Sequence, residues 1–443
     1  MVSAGTLTFK VNRRSPELIP PAKPTPHELK PLSDIDDQQG LRFQIRTIQF
    51  YRRSAAMAGR DPVAVIRRAL ATALVFYYPF AGRLREGAAR KLVVECTGEG
   101  VLFIEADADV ELRQFGASVQ PPFPCLEELL HDVAGSDGII GCPLLLIQVT
   151  RLKCGGFIFA LRLNHTMSDA AGLAQFMAAV ADISRGADAP SILPVWQRHL
   201  LNARNPPCVS HAHRAYDHAP PRTTTIPAEN MVHRSFFFGA AEISALRRRL
   251  PPRLHNSSTF AILAACLWRC RTTAISPAAG DEVRLLCIVN ARRRFNPPLP
   301  AGYYGNAIAY PVATAAAGKL SENPFQYAVD LVRRTTAAVT EEYMKSLPDF
   351  MVMNRRPGFM MDRSYLISDL RAAGFREVDF GWGKPEYGGP ARGCTATSTY
   401  FLPFTNEGGE NGILVPVCLG VNAMEVFAEE LQKLLRNTVS SSL

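Results

Sequence analysis

Two histidines in this 443-residue chain stand four residues ahead of an aspartate, His165/Asp169 and His213/Asp217. Histidine is the side chain whose ordinary pKa lies nearest neutral pH, so a small environmental shift suits it to take a proton from a substrate. Because the spacing occurs twice, it carries little information by itself. Context separates the two. Ahead of His165, Phe157, Phe159, Leu161 and Leu163 alternate as a strand does, and beyond it Leu173, Phe176, Met177, Val180 and Ile183 recur helically. His165 thus stands where a strand gives way to a helix, a place where two rigid elements hold the backbone. A general base and an ordinary hydrogen-bonded core histidine are both open readings here. Asp169, with Ser168 as its rival, reads as the cap of the helix.

Two further segments carry distinctive residue types. Asp379-Phe380-Gly381-Trp382-Gly383 sets two glycines around a tryptophan, which fits a sharply turning backbone beside a buried indole; its reading is structural. Gly302-Tyr303-Tyr304-Gly305-Asn306 follows Asn290-Ala291-Arg292 and reads as a loop feeding a strand, with Arg292 available to a buried carboxylate. No set of metal ligands or nucleophiles accompanies either segment, so metal independence is expected.

The elements that must position these residues follow from periodicity and punctuation. Asp61-Pro62 predicts a capped helix that buries Val65, Ile66, Ala69, Leu70 and Leu74 and ends at Tyr78-Pro79. Strands are expected over 91–96, 101–105, 144–150, 157–164 and 283–290, and helices over 259–271, 324–343 and 423–436, the last capped by Asn422. Prolines, polar residues and scattered histidines dominate from about residue 188 to 227. The expected division is a first domain over 1–190, a linker over 191–227 and a second domain over 228–443, part of which crosses back to the first. Strands and helices mix without strict alternation, so the fold class is α/β with two mixed-sheet, sandwich-like domains.

Composition closes off several function classes. Hydrophobic residues make up 47% and charged residues 20%, an ordinary globular balance. No stretch approaches the roughly 20 apolar residues of a spanning helix, and Met1 to Pro20 has no apolar block with a cleavage site, so secretion is not expected. The formal charge of +9 comes without a zinc pattern, basic zipper region or RNA-recognition signature, so no nucleic-acid partner is expected. The ten cysteines form no CxxC pair, and Cys266 and Cys270 read as buried free thiols in a reducing compartment.

In this order, the segments resemble the plant CoA-dependent acyltransferases of the BAHD family. The match rests on His165 to Asp169, Arg292, Tyr304-Gly305-Asn306 and Asp379 to Gly383. Thr25-Pro26, Leu32-Ser33-Asp34 and Tyr78-Pro79-Phe80-Ala81-Gly82-Arg83-Leu84 also fit. Leu32-Ser33-Asp34-Ile35-Asp36-Asp37, Arg151 to Gly156 and Asn164 to Ala171 are similar to the alcohol acyltransferase branch.

The resemblance implies two similar-sized domains of the chloramphenicol-acetyltransferase type with a channel between them, a monomer, and acyl-CoA as co-substrate with no bound cofactor. It implies that His165 takes the proton of an acceptor hydroxyl, with benzoyl-CoA and benzyl alcohol as first pair and aliphatic alcohols or amines as alternatives. A non-catalytic CoA-binding relative is a further alternative. Asp169 is then expected to pair with Arg292 away from the base, and Asp379, Gly381, Trp382 and Gly383 to support the site from a distance. Ser258 and Thr259, opening a helix, and Ser368 are candidates for CoA contacts. The chain reads Ser368-Asp369 where many family members carry Ser-Trp, so acceptor contacts do not carry over from hydroxycinnamoyl-transferring relatives. Ser441-Ser442-Leu443 resembles a peroxisomal tripeptide without its basic residue, and peroxisome and cytoplasm are the two expected locations.

Overall fold

The computed structural model describes residues 7–217 and 230–436. Ser441-Ser442-Leu443 and the end of the expected linker lie outside the described residues.

Two mixed sheets organise the chain. The first runs Val11–Arg13, Val101–Ala108, Leu145–Leu152, Phe157–Asn164, Gln44–Tyr51 and Tyr387–Pro390, with Glu17–Ile19 also on Val101–Ala108. Only the pair Val101–Ala108 and Leu145–Leu152 is parallel within it. The second runs Met231–Phe238, Asn411–Gly420, Ser398–Thr405, Ser364–Asp369, Glu282–Cys287 and Val312–Ala316. Its centre is parallel and its flanks antiparallel. The helices Pro62–Phe76 and Ala170–Ser184 pack together on the first sheet's core, and Thr259–Ile275 packs between Phe325–Ala337 and Val421–Leu435 in the second.

The halves interpenetrate. Tyr387–Pro390, far along the second half, pairs with Gln44–Tyr51 and puts Tyr387 opposite Phe50. Leu370, Phe375, Val378, Phe380 and Trp382 join the first core. The described part of the expected linker, 191–217, carries short 3-10 turns but no strand or α-helix, and it is packed rather than free. Leu201, Ala215 and Tyr216 join a third apolar cluster with Ile35, Tyr303, Tyr310 and Tyr343.

Local chemistry explains where the elements start and stop. Asp61 caps Pro62–Phe76 by accepting from Val63 and Ala64 N–H, and proline at the first helical position has no donor to lose. The helix expected over 324–343 is two, Phe325–Ala337 and Glu341–Met353, because Thr340 accepts from Tyr343 N–H and starts a new helix while Val339 turns into the core. The strand expected over 283–290 breaks after Cys287, and Val289–Asn290 instead pairs with Ile308–Ala309. Asn422 does not cap the last helix: the strand Asn411–Gly420 runs straight into Val421–Leu435, so Gly420 holds the cap position and Asn422 lies exposed in the first turn. Cys266 and Cys270 are buried and free. Among the described residues no helix is long and apolar enough to cross a membrane.

Candidate active site

His165 follows the last residue of the buried strand Phe157–Asn164, and Ala170–Ser184 begins five residues on. The intervening loop is fixed from several sides. His165 N–H donates to the Phe43 carbonyl at 2.9 Å, and Met167 N–H closes onto the Asn164 carbonyl at 3.0 Å. Of the two rivals for the cap, Asp169 takes it, accepting from Gly172 N–H at 3.0 Å. Ser168 Oγ turns away and donates to the Tyr304 carbonyl at 2.6 Å. Gly172 is required there, because a Cβ at that position would strike the same carbonyl.

Asp169 does not reach back to the histidine. Arg292 clamps it with Nη1 on Oδ2 at 2.7 Å and Nη2 on Oδ1 at 2.8 Å, and Ala307 N–H adds a third bond at 3.0 Å. Burial alone would raise the Asp169 carboxyl pKa, but the Arg292 charge and these hydrogen bonds outweigh it and hold the group below its ordinary range. The pair is a bidentate bond between halves, Asp169 from the first and Arg292 from the second.

The His165 ring is half-buried, and its Nδ1 is wholly buried with no hydrogen-bond partner among the described residues. Desolvation is the first cause lowering its pKa. The Asp169 charge, the main chain of His165 and Ser168 and the Asn306 amide oppose it without prevailing, and none meets hydrogen-bond geometry with Nδ1. The imidazole is therefore neutral at pH 7 and able to accept a proton.

A second buried ion pair, which the sequence reading did not assign, steadies the same loop. Asp36 accepts from Arg198 Nη1 at 2.8 and 2.9 Å, from Ser33 Oγ at 2.6 Å, and from Asn306 N–H and Nδ2 at 2.8 and 2.9 Å. Arg198 Nη2 then donates to the Met167 carbonyl at 2.8 Å, and Asn306 Nδ2 to the His165 carbonyl at 2.8 Å. The Arg198 guanidinium also lies over the Trp196 ring at 4.4 Å. Leu32 to Asp37 sets three carboxylates within six residues, a run that by itself reads as a solvated loop, yet all three are buried, so no local signal marked Asp36.

The tryptophan motif lies elsewhere. Asp379 Oδ1 accepts from Gly381 N–H at 2.7 Å and Gly383 N–H at 2.8 Å. Both glycines have left-handed φ, 109° and 91°. Trp382 meets Phe157 edge-on at 5.3 Å, and Phe380 packs on Phe159 at 5.0 Å. Phe157 opens the strand that His165 follows, so at about 3.3 Å per residue the indole lies roughly 25 Å from the histidine. Ser258 spends its hydroxyl capping Thr259–Ile275 through Ala261 N–H at 3.1 Å. Ser368 is buried in the second sheet opposite Tyr400. Neither is joined to His165 by any hydrogen bond described. His213, the other histidine of the repeated spacing, is buried against Ser346 Oγ at 3.0 Å, while Asp217 pairs with Arg214. No group of three or more His, Cys, Asp or Glu among the described residues is placed to hold a metal ion. Two hollows of about 580 and 590 Å³ flank the helix Pro62–Phe76, and His165 lines neither.

The site thus sets a histidine on a loop between two mixed-sheet halves, with its neighbouring aspartate tied to an arginine from the far half. The chain belongs to the BAHD acyltransferases: the model of the transferase family matches residues 9–434. It is 63% identical over 435 residues to the benzyl alcohol O-benzoyltransferase of Petunia hybrida, covering 97% of this chain and 95% of that one. The enzyme of the same name from Nicotiana tabacum is 62% identical with the same coverage. Among solved structures, vinorine synthase superposes with a TM-score of 0.73 at 24% identity, covering 96% of this chain and 98% of that one. F. graminearum TRI101 with ethyl coenzyme A gives 0.68 at 14% identity, covering 92% and 99%. These two likenesses establish the fold.

Proposed function

We propose that the protein transfers a benzoyl group from benzoyl-CoA to benzyl alcohol, giving benzyl benzoate and CoA. The observation that carries this reading is the 62–63% identity, over nearly the whole chain, to two benzyl alcohol O-benzoyltransferases. In the proposed reaction the neutral His165 ring takes the hydroxyl proton as the alcohol oxygen attacks the thioester carbonyl. The C–S bond then breaks and the imidazolium returns its proton to the departing thiolate, so no covalent enzyme intermediate forms. The lowered pKa of His165 supports this assignment, since a base must be unprotonated to begin. The diversion of Asp169 to Arg292 supports a positioning role for that carboxylate. One chain brings Asp169 and Arg292 together by itself, and we propose a monomer, testable by light scattering on the eluting enzyme.

A competition assay tests the reading: purified enzyme with benzoyl-CoA, acetyl-CoA and mixed alcohols and amines, run beside His165→Ala. Benzyl benzoate as main product, lost by about two to four orders of magnitude in the variant, is the expected result. A different ester or an amide, lost in the variant, would replace the substrates and keep the base. CoA binding without turnover of any acceptor would leave a non-catalytic relative. A variant as fast as the parent would remove His165 from the mechanism.

A further inference from the structure

We infer that Phe43 forms the aromatic wall against which the ring of the acceptor alcohol lies, and so selects arylmethanols over saturated ones. This rests on the proposed use of His165 as base. Phe43 is the one phenylalanine among the exposed large hydrophobic residues described, at 48% exposed. Its ring stands edge-on to the His165 imidazole, with centroids 5.2 Å apart and planes at 68°.

An open phenyl ring on a surface usually means little. This one is held in place. The Phe43 carbonyl takes the His165 N–H, and its own N–H donates to the Leu41 carbonyl at 2.8 Å. Next to it, Arg42 is pinned by Asp37 at 2.8 Å and Glu86 at 2.9 Å. Three residues back, Gly40 lies so close to the Phe359 ring that a Cβ would collide with it. The ring is thus presented from a backbone locked on both sides, and a locked aromatic costs little further ordering when a ligand settles on it.

Geometry assigns the ring to the acceptor rather than the acyl group. A hydroxyl that gives its proton to the imidazole sits about 2.6–3.2 Å from the ring nitrogen. The carbonyl carbon it attacks lies some 3–3.5 Å further on. The carbinol carbon and its aryl group are therefore next to the imidazole, within reach of a phenyl ring whose centroid is 5.2 Å from it. Offset or edge-on contact between two such rings adds to simple apolar burial, which a saturated ring of equal size gains alone.

The test compares Phe43→Ala, Phe43→Leu and Phe43→Trp with the parent. With saturating benzoyl-CoA, kcat/KM is measured for benzyl alcohol, cyclohexylmethanol and 1-hexanol, and KM for benzoyl-CoA and acetyl-CoA is measured separately. The expected result is a fall of about tenfold in the ratio of benzyl alcohol to cyclohexylmethanol for Ala and Leu. Trp should retain the preference, and the donor KM values should change little. Equal losses with all three alcohols, or no loss, would overturn the inference while leaving the proposed function intact. A change confined to benzoyl-CoA against acetyl-CoA would overturn it by placing the ring on the acyl side. A parent enzyme that acylates none of the alcohols would defeat the proposed function, and this inference with it.

Discussion

At the scale of single residues, protonation decides whether the site works. Burial lowers the His165 pKa, so the acid limb of kcat/KM, which reports the free enzyme's base, is expected below pH 6.5. A limb at or above that value in a pH–rate profile would contradict a desolvated base. Asp169→Asn should keep the cap to Gly172 yet leave the Arg292 guanidinium buried without its counter-charge, costing roughly 3–5 kcal/mol in denaturant unfolding. His213 gives the opposite kind of signal, a stability effect without a catalytic one. Burial lowers its pKa to about 4 from 6.5. As pH falls through 6.5 the unfolded chain takes the proton and the folded chain does not, so stability drops until pH reaches about 4. The loss is about 3 kcal/mol at its limit, and it should vanish in His213→Phe when urea unfolding is repeated across that range.

At the scale of elements, some boundaries announce themselves and others depend on distant partners. The passage from alternation to helical spacing around His165 was legible because both patterns are local and buried. So was the Asp61-Pro62 helix start. The break at Val339-Thr340 was not, since apolar spacing continued across it and a threonine cap looks like any threonine. Nor was the Asp36 cluster, whose partners Arg198 and Asn306 stand 162 and 270 residues away; no local pattern encodes such a meeting. The tryptophan segment was legible as structure but not as to which strand it grips. Since Trp382 meets Phe157 rather than the loop, Trp382→Ala should cost about 3–5 kcal/mol. The acid limb of kcat/KM in the folded variant should stay where it is. Movement of that limb would mean the motif acts on the base.

At the scale of the whole molecule, the two-domain expectation needs a qualification about independence. The first sheet is edged by Tyr387–Pro390, and its core is completed by residues 370–382. Asp169–Arg292 and Asp36–Asn306 tie the halves together at the site. Calorimetry should therefore show one cooperative transition, with calorimetric and van't Hoff enthalpies in agreement. Two separated peaks would mean that the halves hold their structure apart.

The same edge strand sets a timetable for the newborn chain. Gln49 Nε2 bonds the Phe375 carbonyl at 2.6 Å across 326 residues. At ribosomal speeds of about 5–20 residues per second, Gln44–Tyr51 waits for its last neighbour for something like 15 to 65 seconds. During that interval an eight-residue strand, with Ile45, Ile48, Phe50 and Tyr51 among its residues, has an open edge, an arrangement prone to pairing with another chain. Yield in a heterologous host should thus be limited by how well that host shelters nascent chains rather than by the stability of the finished enzyme. Codon choices downstream of Tyr51, which lengthen or shorten the wait, become a lever on soluble protein without changing a single residue.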